Sequence, residues 1–358
     1  MTPVKIAMLS LTYGHTRKYY QTLKDNPKLE WIAVYAETQK VKDNFLAWGY
    51  DIPCYMDEKE MYDKHPDIEA VVMASVNNKH IHQIRECAKR GIHILSMKVP
   101  TFDMDEYAEI IELVEKAGIV FQIELELHYN PVVERMKDIV VKKELGKISA
   151  ISAANITLSP VWSFPWQGVP EESYGKRIQL RPGDHRFRGG ALCGHPHVFE
   201  MIRWLSNSDF DYVYAEVGSN IRPDIIVEET VLIIGKMKSG VSFLFDTSWS
   251  RVEERLELPT PGWKIYPKRM EVNFTISSEK GVVLVECFGT NVYHNGIPND
   301  RYTVQYTHFD EWIGLMDEFV DCIRNKKTPK INLAWHRKTI ETINACYESI
   351  ESGEIIYL

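Results

Sequence analysis

The apolar positions of the first 125 residues fall in short unbroken runs separated by amphipathic stretches. Val4–Ser10, Trp31–Tyr35, Glu69–Ala74, Ile92–Leu95 and Ile119–Ile123 read as strands buried on both faces. Between them Thr16–Leu23, His80–Arg90 and Met104–Ala117 carry helical spacing, and the last two stop at Gly91 and Gly118. Alternating strands and helices predict a parallel sheet with right-handed crossovers. The pattern changes after Asn130-Pro131. A helix, Val132–Lys143, precedes strand-like runs at Ile148–Leu158, Val213–Val217, Val231–Met237, Val241–Ser248, Met270–Ser277 and Gly281–Cys287, two of them separated by the turn Lys238-Ser239-Gly240. Trp312, Leu315, Met316, Phe319 and Ile323 then repeat at helical spacing, and a last helix covers Ala334–Glu351. The expected class is α/β: a parallel-sheet domain over residues 1–128, then an α+β domain over 129–358 built on a large open, mostly antiparallel sheet with C-terminal helices.

Between these halves lies a long irregular stretch, Ser159–Gly190, which carries Trp162, Phe164, Trp166, Tyr174, Arg181, His185 and Arg188. Disordered tracts are poor in aromatics, so a functional loop is expected. Flat aromatics such as Trp162, Trp166 and Tyr174 suit a wall against a sugar ring or a flat aglycone, with Arg181 beside them; a subunit contact would use the same residues.

The first strand–turn–helix is where a dinucleotide fold sets its pyrophosphate against a helix N-terminus. The turn reads Ser10-Leu11-Thr12-Tyr13-Gly14-His15, with one glycine in place of GxGxxG. Glu37 stands where a carboxylate would grip a ribose hydroxyl and repel a 2′-phosphate, favouring NAD over NADP; Ala36 is the alternative occupant of that position. Two later segments, Ala74-Ser75-Val76-Asn77-Asn78-Lys79-His80 and His93-Ile94-Leu95-Ser96-Met97-Lys98-Val99-Pro100, each follow a buried strand.

These segments resemble the ATPNxxH and HVLCEKP motifs of the glucose–fructose oxidoreductase / inositol dehydrogenase / rhizopine catabolism (Gfo/Idh/MocA) family. The likeness continues in order at Tyr129-Asn130-Pro131, Glu144-Leu145-Gly146-Lys147-Ile148, Gly189-Gly190-Ala191-Leu192, Arg203-Trp204-Leu205 and Glu318–Asn325. The resemblance implies a Rossmann domain, a second domain on an open sheet, a nicotinamide dinucleotide and oxidation or reduction of a sugar or polyol hydroxyl. It places Ser10, Leu11, Thr12, Tyr13, Gly14, His15, Glu37, Ser75, Asn77, His80, Met97 and Lys98 at the cofactor. Lys98 falls on the lysine that takes part in proton transfer. Hydride leaves carbon only as the hydroxyl proton leaves too, so a base within hydrogen-bond reach is required. A lysine beside a cationic nicotinamide has its charged form disfavoured and accepts a proton more readily.

The family's second-domain D-x-x-x-H falls on Cys193-Gly194-His195-Pro196-His197, with Glu200 in the place of a further Asp. His197 is the expected general base, since an imidazole titrates near neutrality. Cys193 replaces the Asp, and His195 is expected to take over part of its role in holding substrate. The Cys-x-His-x-His spacing matches no common zinc framework, so no metal is expected. His128 precedes Tyr129-Asn130-Pro131, where it faces substrate or caps a strand; Glu126 is an equally open neighbour. Met97 and Val99 replace the Glu and Pro around the lysine.

The aromatic loop, the altered Asp site and the unusual phosphate turn resemble the bacterial branch that oxidises the 3-hydroxyl of a glucosyl unit in C-glycosides such as puerarin. In that branch a partner enzyme then eliminates the aglycone, so a downstream deglycosylating enzyme is an expected partner. Inositol or free-sugar oxidation, and a sugar or NAD sensor without chemistry, are the competing expectations. Whether NAD stays bound between turnovers is left open.

Composition narrows the partners. The chain has 358 residues, 44% hydrophobic and 26% charged, and a net charge of -8, which argues against a nucleic-acid footprint. No apolar run reaches the roughly 18 residues of a membrane span. The six cysteines form no CxxC pair, and the opening residues do not read as a secretory signal, so reduced thiols and a cytoplasmic location are expected. By resemblance the open sheet is covered by another copy, so a homo-oligomer is expected.

Overall fold

The computed structural model describes residues 2–12, 15–142, 144–158, 179–221, 225–251, 270–287, 291–296, 301–305 and 310–358. In chain order the first elements are β1 (Val4–Leu9), α1 (Thr16–Asp25), β2 (Leu29–Tyr35), α2 (Gln39–Ala47), β3 (Cys54–Tyr55), α3 (Glu58–Lys64), β4 (Ala70–Met73), α4 (Asn77–Arg90), β5 (His93–Ser96), α5 (Met104–Ala117) and β6 (Phe121–Ile123). Then come α6 (Pro131–Val141), β7 (Ile148–Leu158), α7 (Ala191–Gly194), α8 (Pro196–Ser206), β8 (Phe210–Val217), β9 (Thr230–Met237) and β10 (Ser242–Arg251). The last are β11 (Met270–Ser278), β12 (Gly281–Glu286), β13 (Asn291–Gly296), β14 (Arg301–Gln305), α9 (Glu311–Asn325), α10 (Leu333–Ser352) and β15 (Ile356–Tyr357). The chain divides into two compact units.

The first unit holds the described residues of Met1–Glu126 and Asp310–Arg337. Its six strands are ordered β3-β2-β1-β4-β5-β6 and all pair in parallel. β4 is buried along its whole length, and so is β1 apart from Lys5, as a strand covered on both faces requires. Strand order reverses between β1 and β4, which opens a crevice at their carboxyl ends. Asp57 and Asp103 cap α3 and α5 by accepting two main-chain N–H bonds each. α4 begins at Asn77, ahead of the expected His80, because Val76 precedes it without a side-chain cap to mark the start.

Residues 310–337 depart from the expected division. They group with the first unit, not the second. Trp312 packs edge-on against Tyr19, with ring centroids 5.0 Å apart. Gln122 Nε2 donates to the Leu315 carbonyl at 2.9 Å, and Arg324 Nη1 bonds Glu69 at 2.6 Å. An apolar stripe states that a helix face is buried; it does not state against what.

The second unit holds the described residues of Leu127–Trp162, Arg177–Phe309 and Lys338–Leu358. Its nine strands run β14-β13-β12-β11-β7-β10-β9-β8-β15. Only β7 and β10 pair in parallel, so the mostly antiparallel expectation holds. Strict alternation along β9 buries Val231 and Ile233 and exposes Leu232 and Ile234. On the buried side Phe199 of α8 meets Phe210 and Phe245 edge-on. Asn130 explains the Asn-Pro signature: its Oδ1 caps α6 at Val132 N (2.9 Å), its Nδ2 donates to the Cys287 carbonyl (2.8 Å), and Pro131 fills the first helical position.

Candidate active site

At the carboxyl edge of the first sheet, the turn after β1 is closed by side chains. Ser10 is fully buried with φ 75°, the left-handed conformation a fingerprint glycine would adopt. Its Oγ accepts from Thr12 N at 3.3 Å and meets Thr12 Oγ1 at 2.9 Å. Leu11 and Thr12 remain half-buried at the turn, while Tyr13 and Gly14 lie outside the described residues. Thr12 Oγ1 donates to Glu37 Oε1 at 3.5 Å. Ala36 is fully buried, so Glu37 is the residue that presents a carboxylate to this turn. Burial pushes the Glu37 carboxyl up, opposed by main-chain bonding from Glu37 itself and Leu11 and by the charge of Lys79. A left-handed turn residue and a half-buried carboxylate beside the turn fit a dinucleotide with a free ribose 2′-hydroxyl.

Four residues expected at the cofactor are buried and packed within the protein. Ser75 donates to Gln83 Oε1 at 2.5 Å, and Met97 is fully buried in the core. Asn77 Nδ2 donates to the Val99 carbonyl at 2.5 Å. His80 is fully buried, with Nδ1 2.9 Å from the Pro100 carbonyl and Nε2 3.0 Å from that of Ser75. The bonds of Asn77 and His80 to main-chain carbonyls tie the segment just beyond Lys98 to the first turn of α4. The Lys98–Val99 peptide is cis.

Lys98 emerges just past β5 and keeps part of its surface in solvent. Burial pulls its ammonium down, while the carboxylates of Glu126 and Glu124 pull it up. Glu124 is fully buried and bonded twice, to His15 Nδ1 at 2.6 Å and by the Tyr19 hydroxyl at 2.5 Å. His15 rests edge-on against Trp312, 5.2 Å between centroids. The Glu126 carboxyl is pushed up to about 7 by burial, with Lys98 opposing. Sequence reading left Glu126 open and missed Glu124. The signal was available: two carboxylates at alternate positions just past a fully buried strand belong at the ligand-facing edge of a parallel sheet.

In the second unit, α7 is built around a buried carboxylate. Glu228 Oε1 accepts from Gly190 N (3.0 Å), Leu192 N (3.3 Å) and the Tyr347 hydroxyl (2.6 Å). Burial pushes Glu228 up to about 7 against those bonds. Cys193, expected at substrate, is buried with Sγ 3.1 Å from the Tyr347 hydroxyl, so its thiol belongs to this cluster. His195 joins α7 to α8 and lies edge-on to Trp249 at 6.5 Å. His197 is buried in the first turn of α8. Glu200 lies on the same helix 3.8 Å from Arg203, which pairs in turn with Asp209 at 2.6 Å. His128 is buried and tilted against Trp204, 5.1 Å between centroids. Arg181 is half-buried, and its Nε meets no acceptor among the described residues. Trp162, Trp166 and Tyr174 lie outside the described residues. Among the described residues no three His, Cys, Asp or Glu side chains gather as metal ligands, and no helix is long and apolar enough to cross a membrane.

Comparison with known proteins agrees with this architecture. Residues 4–125 match the family described as "Oxidoreductase family, NAD-binding Rossmann fold", and residues 133–283 match the GFO/IDH/MocA C-terminal domain. The chain is 22% identical over 335 residues to D-xylose 1-dehydrogenase (NADP(+)) 2 of Haloferax volcanii, covering 91% of each. It is 21% identical over 250 residues to glucose-6-phosphate 3-dehydrogenase of Bacillus subtilis, covering 67% of each. Other curated relatives are matched over less of their length, two of them over about half, 53% and 50%. The crystal structure of aldose-aldose oxidoreductase from Caulobacter crescentus complexed with glycerol superposes with a TM-score of 0.79 at 17% identity, covering 99% of this chain and 100% of that one, which shows a shared fold. Two consecutive family domains, a parallel sheet with its switch point and an open mixed sheet lead to one conclusion: the chain belongs to the Gfo/Idh/MocA family of NAD-binding oxidoreductases.

Proposed function

We propose that this protein oxidises a hydroxyl of a sugar unit, the 3-hydroxyl of a glucosyl group in a C- or O-linked glycoside, with Lys98 accepting the hydroxyl proton. The observation that carries the reading is a lysine at the carboxyl end of β5 whose ammonium is disfavoured by burial, held in place by Asn77 and His80. NAD, when bound, supplies the hydride acceptor. The turn Ser10–His15 and Glu37 would hold it, with Glu37 repelling a 2′-phosphate. His197 is assigned the second proton-handling role from its place in the family pattern, and His195, His128 and Arg181 are assigned to substrate. Relatives named for sugar oxidation, one of them at a 3-hydroxyl, support the substrate class. By the same resemblance the product feeds a deglycosylating enzyme, and the protein self-associates through the open sheet face bearing Ile234, Leu244 and Leu284. Sedimentation of wild type and Ile234→Asp tests the last point.

The experiment incubates the protein with NAD and a panel of C- and O-glucosides, free sugars and inositols, and seeks products lighter by two hydrogens by mass spectrometry. Reaction of glycosides alone supports the reading. Reaction of inositol or free sugars replaces it with polyol oxidation, and NAD binding without any product replaces it with a sensor. Lys98→Met is expected to abolish turnover and leave NAD binding unchanged; surviving turnover sinks the assignment of Lys98.

A further inference from the structure

The family motif places a glutamate immediately before the lysine, and here that residue is Met97, apolar and fully buried. The charge has not been lost from the site. β5 and β6 pair in parallel with Ser96 opposite Ile123, and Glu124 N continues the ladder to the Ser96 carbonyl at 2.8 Å. The two chains therefore leave the sheet side by side, one toward Lys98, the other through Glu124 to Glu126. Glu126 is buried at the start of a 3-10 turn, Glu126–Tyr129. Glu124 is fixed by two bonds, to His15 and Tyr19, so its charge cannot swing away. The strand beside the lysine thus delivers the carboxylates that the lysine's own strand lacks.

We propose that Glu126 is the counter-ion of Lys98 during proton transfer, acting through Lys98 without touching substrate. This rests on the function proposed above. As the substrate O–H bond breaks, an N–H bond forms on Lys98 Nζ, and the new ammonium is neutralised by the Glu126 carboxylate, so the buried carboxylate and the new cation offset each other. The groups facing the pair are Glu124 from β6's extension and His15 from the start of α1, with Tyr19 behind Glu124. Glu126 is thereby a positioning residue that sets the basicity of Lys98.

The test needs no substrate at its first step. NAD-saturated protein is labelled with trace acetic anhydride across a pH series, and Lys98 acetylation is read by peptide mass spectrometry, with Lys79 as internal control. Removing a carboxylate from beside an ammonium lowers its pKa, so Glu126→Gln is expected to move the Lys98 midpoint down by about one pH unit. Glu126→Asp, which keeps the charge, restores most of it. With any substrate that turns over, the rising limb of kcat against pH moves down by the same amount, and the plateau falls about tenfold because the base is weaker. An unmoved Lys98 midpoint overturns the proposal, as does a moved midpoint with an unmoved rate profile. If wild type oxidises nothing, the proposed function fails on its own while the labelling still decides whether the pair exists.

Discussion

Asn77 Nδ2 donates to the carbonyl of Val99 at 2.5 Å, tying the first turn of α4 to the chain immediately beyond Lys98. The bond is buried, so its loss takes a hydrogen bond from a carbonyl shielded from water. Asn77→Ala should cost about 1–3 kcal/mol. It should also lower kcat about tenfold with little change in NAD affinity, because the released segment carries the proposed proton acceptor and not the turn after β1. Thermal denaturation and steady-state kinetics on one preparation check both; unchanged kcat removes the link between Asn77 and Lys98.

Glu37 predicts cofactor choice. Its carboxylate faces the turn after β1, where a 2′-phosphate would meet like charge. Glu37→Ala should narrow the ratio of NADP to NAD dissociation constants at least tenfold, about 1.4 kcal/mol. Isothermal titration with both dinucleotides measures it. A ratio that does not move places the selective residue elsewhere.

Gly190 predicts a site where no other residue fits. A Cβ there would lie 2.0 Å from the Glu228 carbonyl oxygen and 2.9 Å from its Cδ. Both are fixed, since Ala191 N bonds the same carbonyl at 2.9 Å and Gly190 N bonds the carboxylate. Gly190→Ala should destabilise the second unit by about 3 kcal/mol or more, by overpacking and by breaking a buried network. Equal melting temperatures for variant and wild type would contradict the geometry.

Glu228 predicts a pH dependence of opposite sign to that of most carboxylates. Its pKa is raised on folding, from the ordinary 4.5 to about 7. Between those values the native state binds more protons than the unfolded state, so stability falls as pH rises. The loss is on the order of 3 kcal/mol at most for this group. Glu228→Gln should remove that slope, so the melting temperature of the variant relative to wild type should improve from pH 5 to pH 8. Parallel curves for the two proteins across that range would show that Glu228 stays ionised.

Much of the fold was legible because burial leaves a one-dimensional trace. β4 is apolar end to end, and β1 is apart from Lys5, since both faces are covered, and β9 alternates since one face is open. Short elements left no such trace: the two-residue strands β3 and β15 pair with β2 and β8 by register alone. The places of Lys98 just past β5 and of Glu37 beside the turn after β1 were readable, because each follows a strand of the parallel sheet. Ser75, His80 and Cys193 have internal partners that the sequence does not name, for a common reason. A polar residue in a motif has the same letter whether it turns toward a ligand or toward a buried carbonyl.

By itself the sequence determined the order of elements, the change from alternating strands and helices to successive strands, and the place of the lysine just past β5, since each follows from local spacing and strand position. Only the tertiary structure decided which distant groups share a pocket. It seated the stripe of α9 on α1, set Glu124 between His15 and Tyr19, and joined Cys193 to Tyr347 across 154 residues. Side-chain orientation depends on what packs against each face, and that is settled by long-range burial and by the need to pair every polar group taken out of water.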